Sequence, residues 1–511
     1  MKRAIVIGSG FGGISAAAFL ARDGYQVTVV EKNEWVGGRA RVLERDGYRF
    51  DMGPSWYWMP EQHDRWFEQF GVRREDYYAI HRVDPSYRVY YGDAVPGETR
   101  NVVDVPADRA GAREVFERYE PGAGARLDRY LDNCRRKYDF AMGNFIYRNY
   151  YTIFDFLNAT ALANLPLLNI AQSYGGRVRR TFRHPYLQRI LEFPTVFLGS
   201  SPEQTPAMYS LMSHIDFELG TWYPEGGFGA VVRSMQEVAE AQGASFHFGH
   251  EATAIRVGSG GRGRRTGRAR AVQVMGPDGE YELEADIVVA NADYPFVEEN
   301  LIDDAYRSTS AARWDRAHLA PGVLNFYLGF DRPLEEFTHH TFFFDSDWKT
   351  GFDAVYNNPR WIDEPLFYLH VPSRTDPACA PEGHDAVFLL IPIAPGLDDS
   401  PERRQVYLDH ALTRMEARTG RDIRKHLVFQ ESMSIRDFER DYHAFKGNAF
   451  GLGQTLFQTA WFRAGNRSRK VDNLYYAGQY TVPGTGTTMS MISGEVAADR
   501  IRHDWSQEMR A

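Results

Sequence analysis

Cysteine is scarce: Cys134 and Cys379 are the only two among 511 residues. Two thiols so far apart exclude a disulfide framework and a thiolate zinc site, and they fit a reducing compartment. Long apolar runs are missing as well. No stretch reaches the roughly 18–20 uninterrupted apolar residues that cross a bilayer. The best candidate, Ala159–Ala171, is short and carries Asn164, Pro166 and Asn169. Met1-Lys2-Arg3 and the apolar residues after it do not make a leader, because glycines cut the run after Ile7. Positive charge is not in excess: the formal net charge of -9 argues against nucleic acid as a partner. One basic stretch, Gly258–Arg270, holds Arg262, Arg264, Arg265, Arg268 and Arg270 among glycines, without aromatics. It reads as a solvated hairpin loop; nucleic acid or anionic lipid headgroups are its other uses. The chain also lacks H-E-x-x-H, a Walker A loop, a usable G-x-S-x-G triad and any Cys–His ligand cluster. His339 and His340 are adjacent, and neighbours in a strand point to opposite faces, so they are expected to bind no common metal.

What is present is core material. Apolar residues make up 43% and aromatic residues 14%, enough for the two or more domains that the length implies. Ala4–Ile7 is a wholly apolar run, as in a buried parallel strand. Gly8, Gly10 and Gly13 follow as G-x-G-x-x-G, then a helix from Ile14, then a second strand, Gln26–Val30, with Glu31 at its end. Gly8 permits the tight turn, Gly10 admits a pyrophosphate, and Gly13 lets helix and strand pack closely. The helix start offers free N–H groups to phosphate, and Glu31 accepts from ribose hydroxyls. In this strand–helix–strand–acid context the pattern predicts a dinucleotide site, without separating NAD from FAD. Arg41–Asp51 reads as a hairpin turning at Asp46-Gly47.

The binding half returns twice. Trp222–Gly229 precedes an expected helix over Ala230–Gln242 and a strand-like stretch over Ser245–Ile255. Ala285–Asp293 is a buried strand with a polar end, and Asn473–Gly478 leads from a strand into a glycine turn and a new helix. One nucleotide domain assembled from 1–80, 221–294 and 456–511 is expected, with a second domain from 81–220 and 295–455.

Several blocks resemble a known family. Gly37-Gly38-Arg39 after Glu31 is similar to the extension in flavoprotein amine oxidases and carotenoid desaturases. Tyr223–Gly227, Ala285–Asp293, Pro372–Pro377 with Ala380–Gly383, Lys446–Leu452, Trp461–Arg463 and Asn473–Gly478 resemble, in order, bacterial-type phytoene desaturases. The resemblance implies an α/β and α+β fold: a Rossmann-like, amine-oxidase-like FAD-binding domain with an inserted mixed-sheet and helical substrate domain. It implies FAD as cofactor, held by Gly8, Gly10, Gly12, Gly13, Glu31, Lys32, Gly38, Arg39, Gly53, Pro54, Ser55, Ala252, Asn291, Gly478, Gln479, Val482 and Pro483. Arg39 offers its fork to the diphosphate, and Met52–Ser55 approaches the flavin ring. The chain departs from the pattern where flavin and substrate should meet: it reads Thr481-Val482-Pro483-Gly484 and Gly484–Met491 where relatives carry His-Pro-Gly and Gly-Ala-Gly-Ile-Pro.

The implied reaction is desaturation of phytoene or a related polyene, with a hydride passing to flavin and a proton leaving the neighbouring carbon. The cofactor carries that chemistry and the protein binds, orients and excludes water. A carotenoid isomerase, a saturase, a late-pathway desaturase, an amine oxidase and a non-catalytic carotenoid carrier stay open. No catalytic base is nameable, though Asp51 and Glu225 fall near motif blocks. Phe145, Tyr147, Tyr150, Tyr151, Phe154, Phe156 and Phe193 supply core packing, some of them a substrate path. A bilayer-soluble substrate implies a cytoplasmic protein docked peripherally on a membrane, with Phe154–Ile170 as candidate. Oxygen or a quinone takes the electrons; oligomeric state leaves no motif.

Overall fold

The computed structural model describes residues 1–92, 101–152, 163–260 and 266–508. Its first sheet is five parallel strands in the order Leu474–Tyr476, Ile287–Ala290, Arg3–Ile7, Gln26–Glu31 and Ser245–Phe248. Ala4–Ile7 is buried throughout because the strand lies at the centre with cover on both faces. Ile5 sits opposite Val288 on one side and Thr28 on the other. The helix Phe11–Arg22 is buried from Phe11 to Ala21, pressed between this sheet and the helix Thr487–Glu508. Small residues allow that approach. A Cβ on Gly13 would lie 2.0 Å from the Gly8 carbonyl oxygen, and one on Gly494 would lie 2.4 Å from that of Gly12.

The second sheet has seven strands: Leu427–Met433, Gly322–Phe330, Asp385–Ile393, Phe367–His370, His340–Phe344, Tyr87–Tyr91 and Val102–Val105. Its pairs are antiparallel except His340–Phe344 with Tyr87–Tyr91. Alternation along His340–Phe344 divides the apolar load. Phe343 joins Phe367, Leu389 and the helix Pro401–Thr419 in one core. Phe342 and Phe344 turn the other way, toward Tyr87, Phe193 and a helical layer containing Leu127, Val178 and Ile190. Each fully buried Phe, Leu or Ile there is worth about 2 kcal/mol of transfer free energy.

A third sheet, Glu251–Ser259, Gly267–Gly276 and Gly279–Glu284, is an antiparallel meander beside the first. The Arg-rich stretch therefore connects two strands of a hairpin, as expected; Arg262, Arg264 and Arg265 lie outside the described residues. Arg268 and Arg270 are tied down, to Asp472 at 3.6 Å and to the Ser259 carbonyl at 3.0 Å. The early hairpin pairs Val42–Arg45 with Tyr48–Asp51. Asp46 and Gly47 both take positive φ, +52° and +79°, which matches the right-handed strand twist.

Two sequence expectations need correction. Ser245–Ile255 is not one strand: Ser245–Phe248 closes the parallel sheet, and Glu251–Ser259 opens the meander. The helix expected from Ala230 begins at Gly227, because the buried Asp51 carboxylate accepts the free N–H groups of Phe228 (2.8 Å) and Gly229 (3.1 Å).

Candidate functional site

One large cavity, about 780 Å³, runs from the carboxyl ends of the parallel strands into the space beneath the mixed sheet. Sixteen of the seventeen residues singled out from the sequence line it; Gly13 does not. Gly13 acts from behind, by letting the helix touch the Gly8 carbonyl.

The cradle end is built on backbone constraints. Gly8 turns with φ +97° and its N–H donates to the Val30 carbonyl at 2.8 Å. The helix behind it has Gly10 as N-cap, no side-chain cap and no acid in its first turn, so its N–H groups stay available to an anion. Asn291 lies against this loop: Cβ atoms on Gly10 and Gly12 would meet its amide at 2.9 and 2.7 Å. Its Nδ2 donates to the Ala477 carbonyl (3.1 Å), and the Gly478 N–H donates to Ser493 Oγ (2.7 Å). Glu31 is fixed from two sides. Oε2 accepts from the N–H and hydroxyl of Ser9 at 2.9 and 3.0 Å, and Oε1 accepts from the N–H and amide of Asn33 at 3.0 and 2.9 Å. Lys32 donates to the Arg440 carbonyl at 2.5 Å.

Arg39 reaches over the cradle from the Gly37-Gly38 turn, where both glycines have positive φ. Its Nη2 lies 3.6 Å from Asp293 Oδ2 and 3.5 Å from the Asn448 carbonyl. With its amide oriented for bonding, Gln479 Oε1 lies 3.2 Å from the same nitrogen. Arg39 Nε is buried without a hydrogen-bond partner, as are both oxygens of Asp293. Burial raises the Asp293 carboxyl to about 7, with Arg39 opposing the rise. A cationic fork with a spare donor, next to unblocked helix N–H groups, fits an anionic diphosphate.

Asp293 is not among the residues singled out from the sequence, although it ends the Ala285–Asp293 block. The available signal was a polar residue just past the carboxyl end of a central parallel strand. Arg463, from the Trp461–Arg463 block, is not among those residues either. It is buried and donates to the carbonyls of Thr481 (2.9 Å), Gln458 (3.1 Å), Leu452 (3.3 Å) and Gln479, fixing the Gln479–Pro483 wall from behind.

Beyond Ser55 the walls turn apolar. Trp56, Phe193, Phe197, Phe342, Phe344, Trp348 and Phe352 line this part. Of the aromatic residues proposed from sequence, Phe145, Tyr150 and Phe193 reach the cavity. Tyr147 and Tyr151 do not: the first donates to Gln62 Oε1 at 2.5 Å, and the second packs on His503. Phe154 and Phe156 lie outside the described residues. Neither Asp51 nor Glu225 faces the cavity. Asp51 serves the helix start, and Glu225 is exposed beside His81.

His339 and His340 also depart from expectation. His339 sits at a bend before the strand, so alternation does not separate the pair; their ring centroids are 4.5 Å apart and His370 joins them. His370 Nε2 and His339 Nε2 are 3.1 Å apart, His339 Nδ1 bonds Thr375 Oγ1 at 2.7 Å, and His340 Nδ1 bonds the Tyr368 hydroxyl at 2.6 Å. Tyr368 in turn donates to Ser55 Oγ at 3.0 Å. Burial pushes all three imidazoles down, so they are neutral. The cluster supports Ser55 and the stacked Trp56 from behind, His340 lying 4.2 Å from the Trp56 ring.

Leu456, Trp461, Phe462 and Ile170 also line the cavity, and Leu456, Phe462 and Ile170 are exposed at the surface as well. Phe457, 74% exposed, packs edge-on to Phe462 at 5.9 Å.

A parallel sheet with an anion cradle at the carboxyl ends of its strands, continuous with an apolar aromatic chamber, is the layout of a dinucleotide site that opens onto an apolar pocket. The comparisons with known proteins agree at family level. The flavin-containing amine oxidoreductase family matches residues 11–502, and the chain belongs to it. Its cofactor is FAD. The chain is 40% identical over 500 residues to the carotenoid 3,4-desaturase of Haloarcula japonica, covering 98% of each. It is 33% identical to the zeta-carotene-forming phytoene desaturase of Myxococcus xanthus, over 98% of this chain and 94% of that one. Among solved structures, an oxidoreductase from Methanosarcina mazei shares the fold with a TM-score of 0.62 at 16% identity, over 98% of this chain and 100% of that one. Putrescine oxidase bound to putrescine gives 0.61 at 15%, over 99% of both.

Proposed function

We propose that this protein is an FAD-dependent carotenoid desaturase that introduces double bonds into phytoene or a related long polyene. One observation carries the reading: a single cavity joins the dinucleotide cradle to a deep aromatic chamber. Bound FAD supplies the hydride acceptor. The cradle reading assigns the diphosphate to Gly8, Gly10, Gly12, the first turn of Phe11–Arg22 and Arg39, and the ribose to Glu31. Gly53–Ser55, Val482 and Pro483 then flank the junction between cradle and chamber.

The titratable acids, bases and histidine of the cavity wall gather at the cradle: Glu31, Lys32, Arg39, Glu251, Asp293, Asp441 and His443. The chamber holds Lys137 and Arg360. Burial lowers the Lys137 ammonium to about 7, and it donates to the Ala207 carbonyl (2.8 Å) and Ser210 Oγ (2.9 Å). Such walls orient a polyene by shape and exclude water. The names of the desaturase relatives favour this reading over amine oxidation.

The strand sources support a discontinuous division: 1–80, 221–294 and 456–511 feed the parallel sheet, and 81–220 with 295–455 feed the mixed sheet. The exposed Leu456, Phe457 and Phe462 at the cavity mouth serve, in this reading, to dock on a bilayer that holds the substrate. Among the described residues no helix is long and apolar enough to cross a membrane. Oxygen or a quinone reoxidises the cofactor; anaerobic turnover with and without added quinone separates the two.

Expression in a host that accumulates phytoene, followed by pigment extraction and absorption spectroscopy, tests the proposal. Coloured products of increasing conjugation are expected. Unchanged phytoene beside a yellow, FAD-loaded protein would overturn phytoene as substrate and point to a later polyene.

A further inference from the structure

Asp293 is unusual among the buried acids of this chain. Its side chain is wholly buried at the cradle wall, neither oxygen closes a hydrogen bond, and its one ion-pair partner is Arg39 at 3.6 Å. The Tyr480 hydroxyl and the Phe445 N–H face it without completing a bond. Tyr480 accepts the Asn448 amide at 2.8 Å, which leaves its own O–H on the side of Asp293. A carboxylate removed from water and left with one loose cationic partner is costly. Arg39, which faces it through Nη2, also keeps a buried Nε without a partner. Guanidinium and carboxylate thus sit together without satisfying each other, at the place where an anionic ligand is expected.

We propose that Asp293 is a positioning residue for cofactor capture: it holds Arg39 over the empty cradle and releases it to the FAD diphosphate, taking up a proton as its cation is claimed. This rests on the assignment of the cradle to FAD. The physical step is an exchange of counter-charges. Without FAD, Arg39 is the only cation among the described residues that pairs with Asp293, and it favours the charged form. With FAD bound, the diphosphate neutralises Arg39 and adds negative charge nearby, and both changes favour the protonated acid. The proton comes from solvent, and no bond other than the O–H of Asp293 forms. Burial already brings this carboxyl to about 7, so the exchange falls in an accessible range.

The sign follows from linkage. Binding that takes up a proton weakens as pH rises between the free and bound values of the group. Apoprotein prepared from the full chain is titrated with FAD from pH 6 to pH 9, with flavin fluorescence quenching as the readout. The wild-type dissociation constant is expected to rise about tenfold between pH 7 and pH 8.5. In Asp293→Asn that rise is expected to shrink to about twofold or less. A variant that binds FAD with the wild-type pH slope overturns the proposal, as does one weakened by the same factor at every pH with the slope intact. Should Asp293→Asn fail to fold, calorimetry of FAD binding to the wild type near pH 7.5, in buffers of different ionisation enthalpy, counts protons directly. Net uptake supports the exchange, and zero uptake overturns it. Failure of the apoprotein to bind FAD at any pH would instead overturn the cradle assignment.

Discussion

The two ends of the cavity obey different rules. At the cradle, position is set by backbone: a turn at Gly8, a helix start at Gly10 and a helix–strand contact at Gly13 that leaves no room for a methyl group. In the chamber, position is set by side-chain volume, shared among Trp56, Phe193, Phe197, Phe342 and Tyr368, whose rings pack on one another at 4.8–6.1 Å. Backbone constraints are brittle and local. Volume constraints are distributed and tolerate exchange. One region therefore keeps a constant ligand and the other can change its substrate.

The strongest test of the contrast is a single methyl group. Gly13→Ala places a Cβ 2.0 Å from a main-chain oxygen that cannot rotate away, so strand and helix must part. A loss of about 3 kcal/mol is expected, with FAD lost on purification; thermal unfolding and flavin content measure both. Gly143→Ala, in the helical turn Met142–Ile146 near the chamber, meets nothing within 4 Å. It should be neutral or stabilise by about 0.5 kcal/mol. Equal damage from the two would remove the distinction.

Removing volume from the chamber is the complementary test. Phe197→Ala takes a ring from the wall beside Trp56 and Trp58. FAD content should stay at the wild-type level while kcat/KM for the polyene falls about tenfold or more. A parallel loss of flavin would show that the two ends are not separable.

The same division explains what could be read in advance. The glycine fingerprint, Glu31, the Gly37-Gly38-Arg39 turn and the Asp46-Gly47 hairpin were legible because each demands a residue type at a fixed offset. The chamber was not. His340–Phe344 and Phe367–His370 are short apolar runs, and nothing in such a run tells a wall that lines a cavity from one that packs a core. The histidines escape the alternation rule for a related reason: His339 lies at a bend, outside the strand that begins at His340. Asn291 and Asp293 are both polar residues at the end of the same strand, and the sequence pattern does not rank one above the other. The difference emerges only when burial and the position of Arg39 are known.

A smaller effect concerns charge. Asp51 and Asp216 are both acids whose carboxyls are shielded from water, and burial raises that of Asp51 to about 6. Asp51 accepts two main-chain N–H groups, whereas Asp216 accepts only the Tyr87 hydroxyl at 3.0 Å and has Oδ1 unpartnered. Burial raises Asp216 from 3.8 to about 7. A folded-state value above the unfolded one means that the folded chain holds a proton the unfolded chain has lost. The associated stability is full below about pH 4 and gone by about pH 7. Wild-type stability should therefore fall across that window, and Asp216→Asn should flatten the fall and gain about 1 kcal/mol at pH 8. Asp51→Asn should instead cost about 1 kcal/mol, because an amide cannot accept from both N–H groups. Denaturant titrations at pH 5 and pH 8 read both; a stabilising Asp51→Asn would break the pattern.

The mouth extends the contrast to the surface, with the smallest expected effect on the fold. Phe457 and Phe462 are exposed, so replacing both with serine removes little buried area and should shift stability by no more than about 0.5 kcal/mol. Flavin content should be unchanged, since both side chains are exposed and neither belongs to the cradle. Co-sedimentation with phospholipid vesicles should drop several-fold, because two aromatic side chains no longer enter the interface. Turnover of polyene delivered in vesicles should fall with it, while turnover in detergent micelles should hold. That pattern would place the residues on the route between bilayer and chamber. Unchanged vesicle binding would leave the aromatic pair as a rim of the cavity and move membrane contact to another face.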